Sequence, residues 1–344
     1  MLRSVLFLSP FVGDLGERKL IEILQKFVAD NGVLGFGDDA SAFKIAGKIV
    51  VINTDMLVKK TDVPKEMSPF QIGQRLVVMC LSDIVAKGAV PKLLLAAFGM
   101  PPEYELEDFL EIVRGIRQTS EKYGVKYVGG DLNTASDLII SGTAIGIAEK
   151  ALIKRDGVKA GDILCVTGPF GLTGTGFKIV LEKVETPKKL QKTFIDAVFS
   201  PKIRLKLGLM LAESGTVSAC IDSSDGLAWS IHELSKASKV GFEITNLETI
   251  IPQEVFIFAE KNQIDPYELA LYGGEEFELV LTVPKEILEK AIKAAKKVGE
   301  TLTPIGKAIS EKNIFFKKGE KKITIKPQGY EHLKQNKHYV KSEK

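Results

Sequence analysis

The chain has 344 residues, 45% of them hydrophobic and 26% charged, with 47 basic against 44 acidic side chains and a net charge of +3. This is the composition of a folded globular protein, and the length exceeds one ordinary core and favours two domains. The charge balance gives no case for nucleic acid, and no apolar run reaches the ~20 residues of a membrane helix.

The first ten residues, Met1 to Pro10, carry one Arg and a short apolar stretch that Pro10 breaks without a small-residue cleavage site, so a signal peptide is not expected. Leu20, Ile21, Leu24, Phe27 and Val28 share a helical face within Glu17 to Ala29. The β-branched run from Lys48 to Thr54 predicts a strand ending before Asp55. Ser68 followed by Pro69 is a helix start, and Pro69 to Lys87 has helical periodicity. Leu93 to Phe98 predicts a buried strand, Glu105 to Tyr123 a helix closed by Gly124, and Val125 to Val128 and Leu138 to Ala148 two more strands. That order predicts a split βαβ-type α+β sheet. The strands ending at Thr54, Phe98, Val128 and Ala148 are too apolar on both faces for one covering layer, which predicts a dimer formed through this sheet.

The charged, glycine-containing text from Glu149 to Asp162 places a domain boundary there, giving units 1–150 and 151–344. In the second, an α/β domain, strands are predicted at Ile163 to Thr167, Val217 to Ile221, near Phe242, at Glu278 to Val283 and near Ile314 and Ile323. Helices are predicted at Gly174 to Lys183, Ile203 to Glu213, Asp225 to Ala237 and Lys285 to Val298. Cys80, Cys165 and Cys220 are isolated, form no CxxC site, and suit a reducing, cytoplasmic setting.

Acidic, glycine-flanked turns recur along the chain: GFGDDA (35–40), INTDML (52–57), LSDIVAKGA (81–89), VGGDL (128–132), CIDSSDGL (220–227) and YGGEEFELV (272–280). Any one aspartate could cap a helix or close an Asx turn. Asp222, Ser224 and Asp225 together resist that reading. Two carboxylates ~4 Å apart repel by ~4 kcal/mol at an effective dielectric of ~20, so a rim that gathers them needs a cation. Hard oxygen ligands from separate segments are what Mg²⁺ takes when held against phosphates. The stretch Gly168 to Gly176 is neither a Walker A loop nor a dinucleotide fingerprint. It is either a close-packing strand-to-helix turn or a seat for an anion at a helix start. Arg155 is either a solvated charge or a polyphosphate clamp. His232 reads as structural, and His332 and His338 lie in the Lys-rich tail.

Taken in order, GDDA, TDMLV, LSDIVAKGAVPK, VGGD, KRDGVKAGDILCVTG, IDSSDGL, GGEEFEL and GYEHL resemble the thiamine-monophosphate kinase family, within the superfamily that includes aminoimidazole ribonucleotide synthetase. The resemblance runs from about Leu15 to His332. It implies an N-terminal domain that binds ATP and magnesium and pairs its sheet with a second subunit, a C-terminal α/β domain, ATP as co-substrate and several Mg²⁺. By it Asp39, Thr54, Asp55, Asp83, Asp131, Asp222 and Asp225 are metal candidates, Gly130, Asp131, Arg155 and Ser224 touch ATP, and Asp62, Glu275 and Tyr330 touch thiamine monophosphate. No protein side chain serves as nucleophile. The sequence departs from the family after TDMLV. Lys59-Lys60-Thr61-Asp62 puts Asp62 where a substrate-contacting histidine is usual, which suits an archaeal-type branch. GGEEFEL replaces GGEDYEL.

Other readings are an aminoimidazole ribonucleotide synthetase-like ligase and a nucleotide-binding regulator without turnover. Hydrogenase-maturation relatives need a C-terminal cysteine, where this sequence reads Val-Lys-Ser-Glu-Lys. Selenophosphate synthetases need an early cysteine or selenocysteine, and the first here is Cys80.

Overall fold

A computed structural model describes residues 11–28, 32–150 and 152–333. The sequence reading of Met1 to Pro10, and His338, lie outside them. Two sheets organise the chain. The first holds β1 (Ser41–Ile45), β2 (Lys48–Val58), β3 (Val90–Met100), β4 (Lys126–Thr134) and β5 (Ile139–Ala148) in the order β1-β2-β5-β3-β4. All its pairs are antiparallel except β3 with β4, which the Leu106–Lys122 helix joins as a βαβ unit.

The second sheet holds β6 (Ile163–Val166), β7 (Ala219–Asp222), β8 (Gly241–Ile244), β9 (Leu279–Val283), β10 (Thr303–Ile309), β11 (Ile314–Lys318) and β12 (Lys321–Thr324). Their order is β12-β11-β8-β10-β6-β9-β7, and β11 with β8 is the one parallel pair among them.

The Pro69–Ala86 helix is the centre of the molecule. Ser68 starts it with a capping box: its Oγ accepts from Gln71 N at 3.3 Å, and Gln71 Oε1 accepts from Ser68 N at 2.9 Å. It is apolar nearly all round because it is covered on nearly all sides, by β2 and β5 of the first sheet, by the Leu106–Lys122 helix and by β7 of the second sheet. Gly73 and Gly115 let the two helices cross at backbone contact. A Cβ on Gly73 would lie 2.1 Å from Ile112 O, and one on Gly115 2.1 Å from Phe70 O.

Among the described residues, the other face of the first sheet has no such cover. Residues of β5 alternate strictly between buried and half-buried, and β4 is exposed along almost its whole length. Met56, Val128 and Leu132 are 58%, 51% and 64% exposed, well above the burial their apolar side chains favour.

Most expected elements are present, with shifted limits. β2 runs four residues past Thr54, and β4 six past Val128, so Asp55 and Asp131 lie within strands and not just beyond them. The first long helix ends at Leu24, before the expected limit. β1, β10 and the helices Lys188–Phe199, Gln253–Asn262 and Pro266–Tyr272 were not foreseen. No described helix is long and apolar enough to cross a membrane.

Candidate active site

Carboxylates from three segments meet where the central helix passes between the sheets. Oxygens of Asp39, Asp83 and Asp222 all lie within 4.8 Å of one another. Asp39 comes from the loop before β1, Asp83 from the last turns of the Pro69–Ala86 helix, and Asp222 from the end of β7. Ser82 Oγ donates to Asp222 Oδ2 at 2.8 Å. Asn53 Nδ2 donates to both Asp55 Oδ2 (2.9 Å) and Asp83 Oδ2 (2.8 Å), which joins a fourth carboxylate to the group.

This crowding is expensive for anions. Burial and then the charge of Asp39 lift Asp222 to about 6, and burial and then Asp222 lift Asp55 to about 7. Burial, with Asp222, Asp55 and Asp39, holds Asp83 well above the ordinary carboxyl value. The group has the donors a hard cation takes, carboxylate oxygens from several segments. The carbonyl oxygen of Asn53, buried among them, has no hydrogen-bond donor. A divalent cation of the Mg²⁺ type fits this donor set.

Two fixed cations stand beside it. Lys87 Nζ lies 2.5 Å from Asp38 Oδ1 and 2.6 Å from Asp39 Oδ2. Arg155 grips Asp39 Oδ1 through Nε at 2.9 Å and through Nη2, and its backbone N donates to Asp38 Oδ2 at 3.0 Å. Burial alone would lift Asp38, but Lys87 and Arg155 hold it below the ordinary value. The expected clamp residue is thus tied to Asp39.

Asp225 lies outside the Asp39, Asp83 and Asp222 group, at its rim, ion-paired to Arg18 at 2.8 Å. Arg18 also pairs with Glu233 at 2.7 Å and stacks 3.6 Å from the ring centroid of Trp229. Burial lifts Asp225 to about 6, with Arg18 opposing.

The segments IDSSDGL and GGEEFEL are laced together by backbone hydrogen bonds. Glu275 N donates to Ser224 O at 2.6 Å, and Phe277 N to Ser223 O at 3.0 Å. Glu275 and Phe277 have φ of 65° and 51°, a left-handed conformation that non-glycine residues rarely hold without such constraints. Glu275 is ion-paired with buried Arg75, and burial raises its carboxyl while Arg75 opposes. Ser224 is exposed at the rim. Tyr330 N donates to Asp225 O at 3.3 Å, which brings the closing segment to the same rim.

Four expected residues sit differently. Thr54 lies between Asn53 and Asp55 on β2, so its side chain is on the opposite face from the cluster. There its hydroxyl meets Gly142 O at 3.1 Å and Ser141 Oγ at 3.3 Å. Gly130 and Asp131 lie on exposed β4, opposite Ala96 and Ala97. Asp62 closes a short turn of helix, Lys59–Asp62, and its Oδ2 accepts from Val58 N at 2.7 Å. Lys59 stacks over Tyr104, 5.0 Å from the centroid.

The glycine stretch meets a carboxyl group from the chain itself. At the start of the Leu172–Glu182 helix, Gly171 N donates to Glu276 Oε1 at 3.2 Å, and burial holds Glu276 well above its ordinary value. Arg18, Asn53, Arg75, Ser82 and Lys87 are additions that sequence reasoning missed. Lys87 had one signal, its place four residues after Asp83 at the cap of the same helix.

Comparison with known proteins gives a consistent picture. Residues 37–148 match the AIR synthase related protein N-terminal domain, and residues 159–318 the C-terminal domain. Thiamine-monophosphate kinase of Pyrococcus horikoshii is 34% identical over 313 residues, 91% of this chain and 96% of that one. The Nitrosopumilus maritimus enzyme of the same name is 31% identical, over 94% of this chain and 100% of its own. Among solved structures, AaThiL complexed with AMPPCP and TMP superposes with a TM-score of 0.82 at 26% identity, covering 95% of this chain and 99% of that one.

Proposed function

The chain belongs to the thiamine-monophosphate kinase family of AIR synthase related proteins, and from that premise we propose that it transfers the γ-phosphoryl group of ATP directly to the phosphate of thiamine monophosphate, giving thiamine diphosphate and ADP. The observation that carries this reading is the meeting of Asp39, Asp83 and Asp222, with two fixed cations against Asp39. The complex of AaThiL with AMPPCP and TMP supports both substrates.

Asp39, Asp83 and Asp222 would hold Mg²⁺, with Asp55 and Asp225 beside them. Bound there, Mg²⁺ supplies positive charge to the phosphates as the transferring group moves. The protein's own work is alignment. Asn53 and Ser82 fix the rotamers of Asp55, Asp83 and Asp222, and Arg155 holds Asp39 by two nitrogens. Ser224 and Arg155 would meet ATP, as would Gly130 and Asp131 on β4. Glu275, Asp62 and Tyr330 would meet the thiamine substrate, Asp62 as an anion for the cationic ring and Lys59 and Lys60 for the phosphate. The transfer is in line, with no phosphorylated side chain.

Residues 1–150 form the ATP- and magnesium-binding unit and 151–344 the second. The exposed apolar residues of β2 and β4 support a homodimer through the first sheet. Three buried free cysteines suit the cytoplasm.

The test is incubation of purified protein with ATP, Mg²⁺ and thiamine monophosphate, with chromatographic detection of thiamine diphosphate. Product formation at the expense of ATP is expected. ADP release only with some other phosphorylated acceptor would refute the substrate while leaving the phosphotransfer reading in place.

A further inference from the structure

Among the described residues, Lys87 and Arg75 are the basic side chains classed as buried, and Lys87 is 0% exposed. A lysine at the C-terminal end of a helix ordinarily extends into water, where it complements the helix dipole. Lys87 turns inward. Its ammonium donates to Asp38 Oδ1 at 2.5 Å and to the carbonyl of Cys220 at 2.9 Å, and ion-pairs with Asp39 Oδ2 at 2.6 Å. Those partners come from the loop before β1 and from β7, so one side chain ties the central helix to an element of each domain.

The charges around it do not balance. Asp38, Asp39, Asp83 and Asp222 bring four carboxyl groups, against which Lys87 and Arg155 are the fixed cations in contact. Lys87 occupies an oxygen of Asp39, one of the three residues in the metal-ligand arrangement. An ammonium there meets the same carboxylate that a divalent ion would, and its charge opposes that ion.

We propose that Lys87 is a positioning residue, a tethered cation that keeps the acid cluster folded when no metal is bound and that holds down the cluster's affinity for divalent cations. The inference rests on the metal role proposed above for Asp39. It makes loading reversible: a cluster held together by a tethered cation can release the ion with product and stay folded.

The test uses the full chain and Mg²⁺ alone, with two readouts besides turnover: calorimetric titration of Mg²⁺, and melting in EDTA against saturating Mg²⁺. Methionine is close to lysine in length and uncharged. Lys87→Met should melt well below wild type in EDTA, regain most of the loss in Mg²⁺, and bind Mg²⁺ at least about tenfold more tightly, because a unit charge beside the ion has been removed. Lys87→Met combined with Asp38→Asn removes one anion with the cation, and should return both melting in EDTA and Mg²⁺ affinity towards wild type. A lysine with only a packing role would lower the melting temperature equally in both conditions and would not tighten Mg²⁺ binding; that result overturns the proposal. If Lys87→Met alone does not fold, the double variant decides: recovery of cooperative melting supports charge balance, and failure to recover refutes it. Wild-type protein that binds no Mg²⁺ would overturn the metal reading and this inference together. Wild-type binding matched by Lys87→Met would overturn this inference alone.

Discussion

Replacing Asp222 by Asn should remove turnover and yet make the metal-free protein more stable. The Asp222 carboxyl is 5% exposed, and it is held at about 6 where the ordinary value is 3.8. Between those two values the folded state binds more protons than the unfolded chain. The contribution of this group to metal-free stability is therefore full below about pH 4, falls as pH rises towards 6, and stays reduced above. At ~1.4 kcal/mol per tenfold change in acid strength, keeping this group ionised at pH 8 costs about 3 kcal/mol. Asparagine removes the charge and keeps the shape. Its oxygen can still accept from Ser82, and its amide can donate to Asp39 or Asp83, whose oxygens lie within 4.8 Å. The Asp222 charge also helps to lift Asp55 and Asp83, so its loss relieves both.

The expected gain is on the order of 5 °C in melting temperature at pH 8 in EDTA, shrinking towards zero by pH 4. Turnover should fall at least about 100-fold, as for loss of a metal ligand. Calorimetric melting of both proteins from pH 4 to 8, with EDTA and with Mg²⁺, checks this. A variant that melts at or below wild type at pH 8 in EDTA, or whose advantage does not depend on pH, would refute the reasoning.

Asp62→Ala should raise the Michaelis constant for thiamine monophosphate more than that for ATP; an equal rise in both would remove Asp62 from the acceptor site. Leu132→Asp, on an exposed strand face, should convert a dimer to a monomer in light scattering at micromolar concentration, and an unchanged dimer would place the interface elsewhere. Gly130→Ala sets a Cβ 1.7 Å from the carbonyl oxygen of Ala96 and should destabilise the protein by about 3 kcal/mol or more in denaturant melts. A variant of wild-type stability would show that β4 is not held against β3 at that point.

Asp39 and Asp222 were legible as charges at the limits of apolar runs, whereas Asp55, Asp83 and Asp131 lie inside strands and a helix and not in turns. The central helix was legible from Ser68 and Pro69, which form the cap they suggested. Asp265 and Pro266 form the same kind of start, with Asp265 Oδ1 accepting from Tyr267 N at 2.9 Å, so the Pro266–Tyr272 helix was readable and missed. Strand limits were harder. Asn53, Thr54 and Asp55 read as the end of a strand because polar residues usually leave a core. They continue it because Asn53 and Asp55 face the acid cluster while Thr54 points to the uncovered side. The VGGD text was misplaced for a related reason: an exposed strand has no burial pattern to mark it. Lys87 had only its spacing from Asp83 to mark it. Its surroundings come from residues 49 positions before it and 133 after it, and no local pattern encodes that meeting. Arg18 is a similar case, reaching partners more than 200 residues away.

Trp229 is the only tryptophan in the sequence. Its indole lies under the guanidinium of Arg18, which is also the ion-pair partner of Asp225. The intrinsic emission of the protein above the tyrosine band therefore arises from one ring, and the charge stacked on it is tethered to a carboxylate at the rim of the acid cluster. Any ligand that draws Asp225 away frees or shifts that guanidinium, and the wavelength and intensity of the indole signal change with it. The fold carries a built-in optical gauge, so stopped-flow fluorescence can follow events at this rim in unlabelled protein.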